Sequence, residues 1–250
     1  MPILSPEQLT GRVRSHVMEL LEPRCTLHPA ATQAFLGLRA EAAQSGIDLW
    51  AASSFRDFDR QLAIWNDKFL GRRPLLDAAG RPLDHASLDD GQRIRAILIW
   101  SALPGASRHH WGTEIDVIDR AALATGQQAQ MVRQEYAAGG VFEKLGDWLS
   151  HHCARFGFFH PYDIDRGGVQ PEPWHVSFAP VSVPALSRLT VAVLQDALGA
   201  VALAGGDIVK RQLADLHRRY VASVAAPAPD ALAAPVGADP DQSCSQAFLK

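Results

Sequence analysis

The chain has 250 residues, of which 47% are apolar and 20% are charged, and this balance excludes a collagen-like or wholly disordered polypeptide. Its 24 Lys and Arg residues are matched by 27 Asp and Glu residues, and the resulting net charge of −3 argues against a nucleic-acid-binding surface. The three cysteines (Cys25, Cys153 and Cys244) are far apart, which argues against a disulfide scaffold or a thiolate zinc knuckle.

The N-terminal segment lacks the uninterrupted apolar stretch of a secretory signal peptide, because Glu7, Arg12 and Arg14 interrupt it. No stretch approaches the roughly 18 apolar residues that a membrane-spanning helix needs. We therefore expect a cytoplasmic protein without a membrane span, with export by a route that cannot be read from the sequence as the alternative.

The first predicted helix begins where Ser5 can cap, Pro6 suits the first turn and Gln8 completes a capping box. Apolar residues at helical spacing extend this helix to Leu20. The further predicted elements are, in chain order, helix 29–46, strand 47–55, helices 57–69 and 90–100, strand 113–119, helix 141–155, strands 156–162 and 174–178, and helices 184–198 and 207–221.

These elements show no regular alternation of strand and helix, which favours an α+β fold. We expect a small, mainly antiparallel sheet that carries the functional site and is flanked by helices. Residues 1–224 are predicted to form one domain. Residues 225–250 are rich in Ala and Pro and lack apolar periodicity, so they are predicted to be a disordered tail.

Histidine and carboxylate residues cluster in two short segments of the second half of the chain. His109 and Asp116 are separated by seven positions across a loop and into a predicted strand, and Glu172 precedes His175 by three. Zn²⁺ accepts imidazole and carboxylate ligands, and a catalytic zinc site has three protein ligands and one open position. A glutamate beside one ligand can act as a general base. Arg56 follows the first buried strand, in a loop position that is typical of functional residues.

Three motifs in this order resemble the D-Ala-D-Ala carboxypeptidase branch of the LAS zinc peptidases (lysostaphin, D-Ala-D-Ala metallopeptidases, hedgehog). SRHHWGTEID at 107–116 is similar to the signature Ser-x-His-x-x-Gly-x-x-x-Asp, and EPWH at 172–175 is similar to Glu-x-Trp-His. SSFR at 53–56, with Gln61 five residues later, resembles the upstream Ser-x-x-Arg…Gln segment. The resemblance extends over residues 47–178.

The resemblance implies one zinc ion per chain, bound by His109, Asp116 and His175. It also implies that Glu172 is the general base and that Arg56 holds the substrate and stabilises the oxyanion. A guanidinium suits this second role because it stays protonated and presents a planar fork of donors.

Four further residues are candidate substrate contacts. Ser107 and Gln61 belong to the motifs, and Trp174 neighbours a ligand and is expected to form a wall of the pocket. Glu114 departs from the family pattern, which has a small residue two positions before the aspartate ligand. Strand alternation places Glu114 on the same face as Asp116, where it would attract a positively charged substrate group. The alternative for Glu114 is an ion pair with a neighbouring arginine such as Arg108.

These observations predict a zinc-dependent D-alanyl-D-alanine carboxypeptidase that acts on peptidoglycan stem peptides or their precursors. An L,D-carboxypeptidase of murein recycling or a phage-type peptidoglycan endopeptidase would use the same chemistry on another bond. An inactive zinc-containing binding module is the alternative from another class, and the presence of Glu172 and Arg56 argues against it.

Overall fold

The computed structural model describes residues 3–199 and 201–233. The helices are α1 (Pro6–Leu9), α2 (Pro29–Gln44), α3 (Phe58–Phe69), α4 (Asp90–Leu98), α5 (Arg133–Tyr136), α6 (Glu143–His152), α7 (Ala179–Arg188), α8 (Val191–Leu198), α9 (Gly206–Leu216) and α10 (Pro229–Ala233). The strands are β1 (Met18–Leu21), β2 (Arg24–Leu27), β3 (Leu49–Ser53), β4 (Glu114–Asp119), β5 (Phe158–Phe159) and β6 (His175–Phe178). Short 3₁₀ turns include Arg108–Trp111 and Cys153–Phe156.

Four strands form an antiparallel sheet in the order β3-β4-β6-β5, and β1 and β2 form a separate hairpin. Long helices surround this small sheet, and α2 and α3 are the longest. The predicted α+β class is therefore confirmed. One large hydrophobic cluster includes buried residues from Leu4 to Val221.

The two central strands, β4 and β6, have one apolar and one polar face, because side chains alternate along a strand. Ile115 and Val176 are paired on the apolar face, and both are fully buried. Asp116 is paired with His175 on the other face, two positions away from Glu114, which is paired with Ser177 in the same register. The strand register therefore brings residues 59 positions apart in sequence into direct contact on the polar face.

The predicted N-terminal helix is much shorter in the structure. The capping box of Ser5 and Gln8 is present, but α1 ends at Leu9 and the chain turns into the β1–β2 hairpin. Gly11 has a φ of +72°, and a Cβ atom there would lie 2.4 Å from His110 Nδ1. A left-handed glycine in close contact with the core ends the helix, despite apolar residues at helical spacing beyond it.

The predicted helix 184–198 is two helices, α7 and α8, which meet at an angle of 77°. The Thr190 side chain accepts a hydrogen bond from the Val193 N–H at 3.3 Å, so a new N-terminus begins within the apolar run. No single helix among the described residues is long and apolar enough to cross a membrane, although α7 and α8 together meet that criterion by length and composition.

Part of the predicted tail, residues 225–233, lies among the described residues and packs against the rest of the chain. The Ala225 N–H donates to the Pro161 carbonyl at 2.9 Å, and α10 packs against α7 and the turn Cys153–Phe156. Ala231 is fully buried in a small cluster with Phe159. Small side chains allow this close packing, which apolar periodicity does not reveal. Residues 234–250 of the predicted tail lie outside the described residues.

Candidate metal centre and substrate cavity

The three predicted ligands meet on the polar face of the sheet. Asp116 lies on β4, His175 on β6, and His109 in the 3₁₀ turn that precedes β4. One ligand atom from each lies within 4.8 Å of the other two. Asp116 Oδ1 and His175 Nδ1 are 3.1 Å apart, and His109 Nε2 is 3.5 Å from Asp116 Oδ2.

Two observations indicate that this cluster suits a cation. Asp116 Oδ1 and His175 Nδ1 are buried next to each other, and neither makes a well-aligned hydrogen bond with a described residue. Burial disfavours a charged His175, but Asp116 and Glu114 outweigh it and raise its pKa to about 10. Burial lowers the pKa of His109 to about 4, which keeps that imidazole neutral as a metal ligand must be. The carboxylates therefore favour positive charge at this cluster, which a metal ion would supply in place of the His175 proton.

The outer nitrogen of each imidazole is held by a specific partner. His109 Nδ1 is 2.8 Å from the Ser54 carbonyl oxygen, and His175 Nε2 is 2.7 Å from Glu114 Oε2. Each contact places a ring proton on the outer nitrogen and leaves the other nitrogen directed at Asp116. Such partners commonly orient metal-binding histidines and set their tautomer.

Glu114 is on the same face of β4 as Asp116, as predicted, but it is fully buried behind His175 and does not line the cavity. Its carboxylate accepts hydrogen bonds from the Ser177 hydroxyl at 2.8 Å and the Thr113 hydroxyl at 2.9 Å. It also pairs with Arg108 Nη2 at 3.3 Å. The expectation that Glu114 contacts substrate is therefore corrected, and the alternative of an Arg108 ion pair is what the structure contains.

Glu172 lies beside the ligand cluster, with Oε2 3.5 Å from His175 Nδ1. Its N–H donates to the Tyr162 carbonyl at 2.9 Å, and its own carbonyl accepts from the His175 N–H at 3.1 Å. Burial and the nearby Asp116 raise the pKa of Glu172 to about 7, although the cations around it oppose this shift. Its carboxyl is poised to exchange a proton near neutral pH.

Arg56 lies between β3 and α3 and is held at both its backbone and its guanidinium. Its N–H donates to the His109 carbonyl at 3.2 Å, and its own carbonyl is 2.5 Å from His110 Nδ1. Arg56 Nη1 donates to Gln61 Oε1 at 2.7 Å, and Gln61 Nε2 donates to the Ala102 carbonyl at 2.7 Å. Gln61 is fully buried, so the prediction that it contacts substrate is corrected: it orients Arg56.

A cavity of about 300 Å³ opens onto the ligand cluster. Its walls include the predicted residues Arg56, Glu172, Ser107 and Trp174. Sequence reasoning did not identify several other lining residues, among them Lys68, Trp100, Ser101, Arg108, Tyr162 and Tyr220. The sequence spacing could have indicated Lys68, because this residue follows Gln61 by seven positions and therefore lies on the same face of the helix.

Sequence comparisons relate the chain to one protein family and to individual proteins. The family model VanY, described as D-alanyl-D-alanine carboxypeptidase, matches residues 24–181. An uncharacterized protein of Haemophilus influenzae is 50% identical over 103 residues, covering 40% of this chain and 70% of that protein. A D-alanyl-D-alanine carboxypeptidase of Enterococcus faecalis is 28% identical over 93 residues, covering 36% of this chain and 28% of that protein.

Among solved structures, VanYB in complex with D-alanine-D-alanine aligns with a TM-score of 0.48 and 19% identity, covering 77% of this chain and 87% of that chain. The family match extends over more than half of the chain and contains all three candidate ligands, Arg56 and Glu172. It confirms the resemblance predicted from the sequence motifs. The chain therefore belongs to the VanY D-alanyl-D-alanine carboxypeptidase family.

Proposed function

We propose that this chain is a zinc-dependent carboxypeptidase that removes the C-terminal D-alanine from peptidoglycan stem peptides or their precursors. The observation that carries the proposal is the convergence of a three-ligand cluster, the Glu172 carboxyl and the Arg56 guanidinium on one cavity. Membership of the VanY family supports the same chemistry.

His109, Asp116 and His175 would hold one zinc ion, because two imidazoles and one carboxylate match the ligands of catalytic zinc sites. A zinc ion held there would polarise the scissile carbonyl and would lower the pKa of a water molecule. Glu114 and the Ser54 carbonyl fix the two imidazoles so that they present their free nitrogens to the ion.

Glu172 would act as the general base and then as the general acid. Its carboxylate accepts a proton from the attacking water and passes that proton to the nitrogen of the departing D-alanine. A group with a pKa near the working pH performs both transfers well, and burial raises the pKa of Glu172 to about 7.

Arg56 would stabilise the negative charge that develops on the scissile carbonyl oxygen. Gln61 accepts a hydrogen bond from Nη1 of the Arg56 guanidinium. The other guanidinium donors therefore remain available to a substrate in the cavity that Arg56 lines. A preorganised donor of this kind is typically worth about 3 kcal/mol in the transition state. Ser107 and Trp174 line the same cavity and are proposed to contact the substrate peptide.

The proposal is tested by incubating the zinc-reconstituted chain with defined stem peptides and following the products by mass spectrometry. Loss of one alanine from a pentapeptide ending in D-Ala-D-Ala is the expected result, and Glu172→Gln is the matched inactive control. Loss of alanine from a tetrapeptide alone would assign an L,D-carboxypeptidase. Cleavage of cross-linked peptides would assign an endopeptidase, and binding without hydrolysis would assign a binding module.

A further inference from the structure

Lys68 is a cavity-lining cation that the proposed chemistry does not use. It lies in the last turn of α3, on the helix face that also carries Gln61. Seven residues correspond to about 10 Å along a helix axis, so α3 extends from the Arg56–Gln61 pair towards another part of the cavity. A lysine in a last helical turn often serves only the helix dipole, but such a lysine normally points into water.

The Lys68 ammonium has no protein partner in the described part of the chain. Among these residues, no carboxylate oxygen lies within 4.0 Å of its Nζ atom, and its side chain makes no assigned hydrogen bond. Burial lowers the pKa of Lys68 to about 8, although Glu172 opposes that shift. Lys68 is half-buried in the cavity wall and is unpaired there among the residues that the structure describes, so its ammonium is available to an anion that enters the cavity.

The charges around the cavity specify the sign of the missing partner. The charge of Arg108 is balanced by Glu114, which pairs with its Nη2 atom and is buried behind His175, whereas its Nε and Nη1 atoms have no hydrogen-bond partner among the described residues. The remaining protein charges are two cations, Arg56 and Lys68, and two carboxylates, Asp116 and Glu172. A divalent ion in the ligand cluster would make their sum positive, so a bound substrate is favoured when it brings negative charge into the cavity.

A peptide offers that charge in the ground state at its C-terminal carboxylate, whereas the oxyanion at the scissile carbonyl develops only in the transition state. We propose that the Lys68 ammonium binds the C-terminal carboxylate of the residue that is released, and thereby restricts the site to exopeptidase cleavage. This inference rests on the proposed function and identifies Lys68 as its specificity-determining residue.

The test compares two peptides that differ only at the C-terminus, one ending in a free D-Ala-D-Ala acid and one in the corresponding amide. Both are assayed with the zinc-loaded wild-type chain, Lys68→Gln and Lys68→Arg. Arg72→Gln is the matched control, because it removes one exposed cation four residues away that pairs with Asp67 outside the cavity. Melting temperatures verify that each variant is folded.

We expect Lys68→Gln to lower kcat/KM for the acid about 10- to 100-fold, mainly through KM, which is the usual effect of losing a hydrogen bond to a charged group. Cleavage of the amide should change little, Lys68→Arg should restore part of the preference, and Arg72→Gln should leave both substrates unaffected. Equal losses on acid and amide would overturn the proposal, because Lys68 would then act on Glu172 or on packing. An unchanged acid-to-amide ratio would overturn it as well.

Calorimetric binding of the two peptides decides the proposal without turnover. The zinc-loaded Glu172→Gln chain, which should not turn the peptides over, should bind the acid more tightly than the amide, and the double variant Glu172→Gln/Lys68→Gln should remove the difference. If the wild-type chain hydrolyses neither peptide yet shows this binding preference, the proposed function fails and the assignment of Lys68 stands. If hydrolysis occurs but Lys68→Gln retains the full preference for the acid, the assignment of Lys68 fails and the proposed function stands.

Discussion

Glu114 and Glu172 contact the same imidazole through different nitrogens, at 2.7 Å from His175 Nε2 and 3.5 Å from His175 Nδ1. Burial acts to raise the pKa of both carboxyls. For Glu114 the Arg108 guanidinium and the contact with His175 more than offset burial and hold the pKa at about 2. For Glu172 burial prevails and the pKa is about 7.

The two glutamates differ in partners and in exposure, since Glu114 is fully buried and the Glu172 side chain is 13% exposed. Glu114 accepts hydrogen bonds from two hydroxyl groups and pairs with a buried arginine, so it is a permanent anion. The Glu172 carboxyl has no such direct hydrogen bonds among the described residues and faces the cavity. A permanent anion can orient a ligand, whereas only a carboxyl with an accessible protonation change can transfer protons.

The largest effect that separates the two glutamates is expected from Glu172→Gln. The amide keeps the shape of the side chain but cannot accept a proton, so turnover should fall about 10²- to 10⁴-fold. Zinc affinity should stay close to that of the wild-type chain, because Glu172 is not one of the three candidate ligands. Stopped hydrolysis assays and zinc titration measure the two quantities. Near-normal turnover would assign the general base to another group.

Removing Arg108, the cation that pairs with Glu114, should have the next largest effect. Arg108→Met leaves a fully buried carboxylate without its arginine, and breaking a buried pair from one side typically costs about 3–5 kcal/mol. The double variant Arg108→Met/Glu114→Gln should regain more than half of that loss, since neither charge is then buried alone. Urea unfolding of the four chains measures the free energies. An additive double variant would contradict the pairing.

Glu114→Gln is expected to weaken zinc binding about 10- to 100-fold, because outer partners of metal-binding histidines typically contribute this much. The amide can still accept a hydrogen bond from His175 Nε2, but it no longer supplies the charge that stabilises that tautomer. Competition with a chromogenic chelator measures the dissociation constant. Saturating zinc should restore most of the turnover, and failure to do so would place Glu114 in the reaction itself.

The smallest effect is expected from shortening the chain. The Ala225 N–H donates a hydrogen bond to the Pro161 carbonyl. The residue after Pro161 is Tyr162, whose carbonyl accepts a hydrogen bond from the Glu172 N–H. A chain ending at Val224 should therefore melt about 2–4 °C lower than a chain ending at Ala233, equivalent to about 1 kcal/mol. Its turnover should fall slightly while its zinc affinity remains unchanged. Identical melting temperatures for the two chains would show that α10 contributes nothing to stability.

The sequence motifs correctly identified the residues that converge on the cavity. The resemblance of three motifs to the LAS peptidases predicted a site of His109, Asp116, His175, Glu172 and Arg56, and the structure brings these residues together at one cavity. The roles of Gln61 and Glu114 were predicted less well, since a motif position does not show which way a side chain points. Lys68 was not predicted, because one lysine near the end of a helix usually has no function beyond solubility and the helix dipole.

Local chemistry in the sequence by itself determined where most helices begin, which strands alternate apolar and polar side chains, and which residues can bind a metal. The capping box at Ser5 and the strand that carries Asp116 depend only on neighbours within a few residues. Only the tertiary structure decided which carboxyl is a permanent anion and which can exchange a proton. That difference depends on desolvation and pairing, and the pairing of Glu114 with His175 joins residues 61 positions apart in the chain.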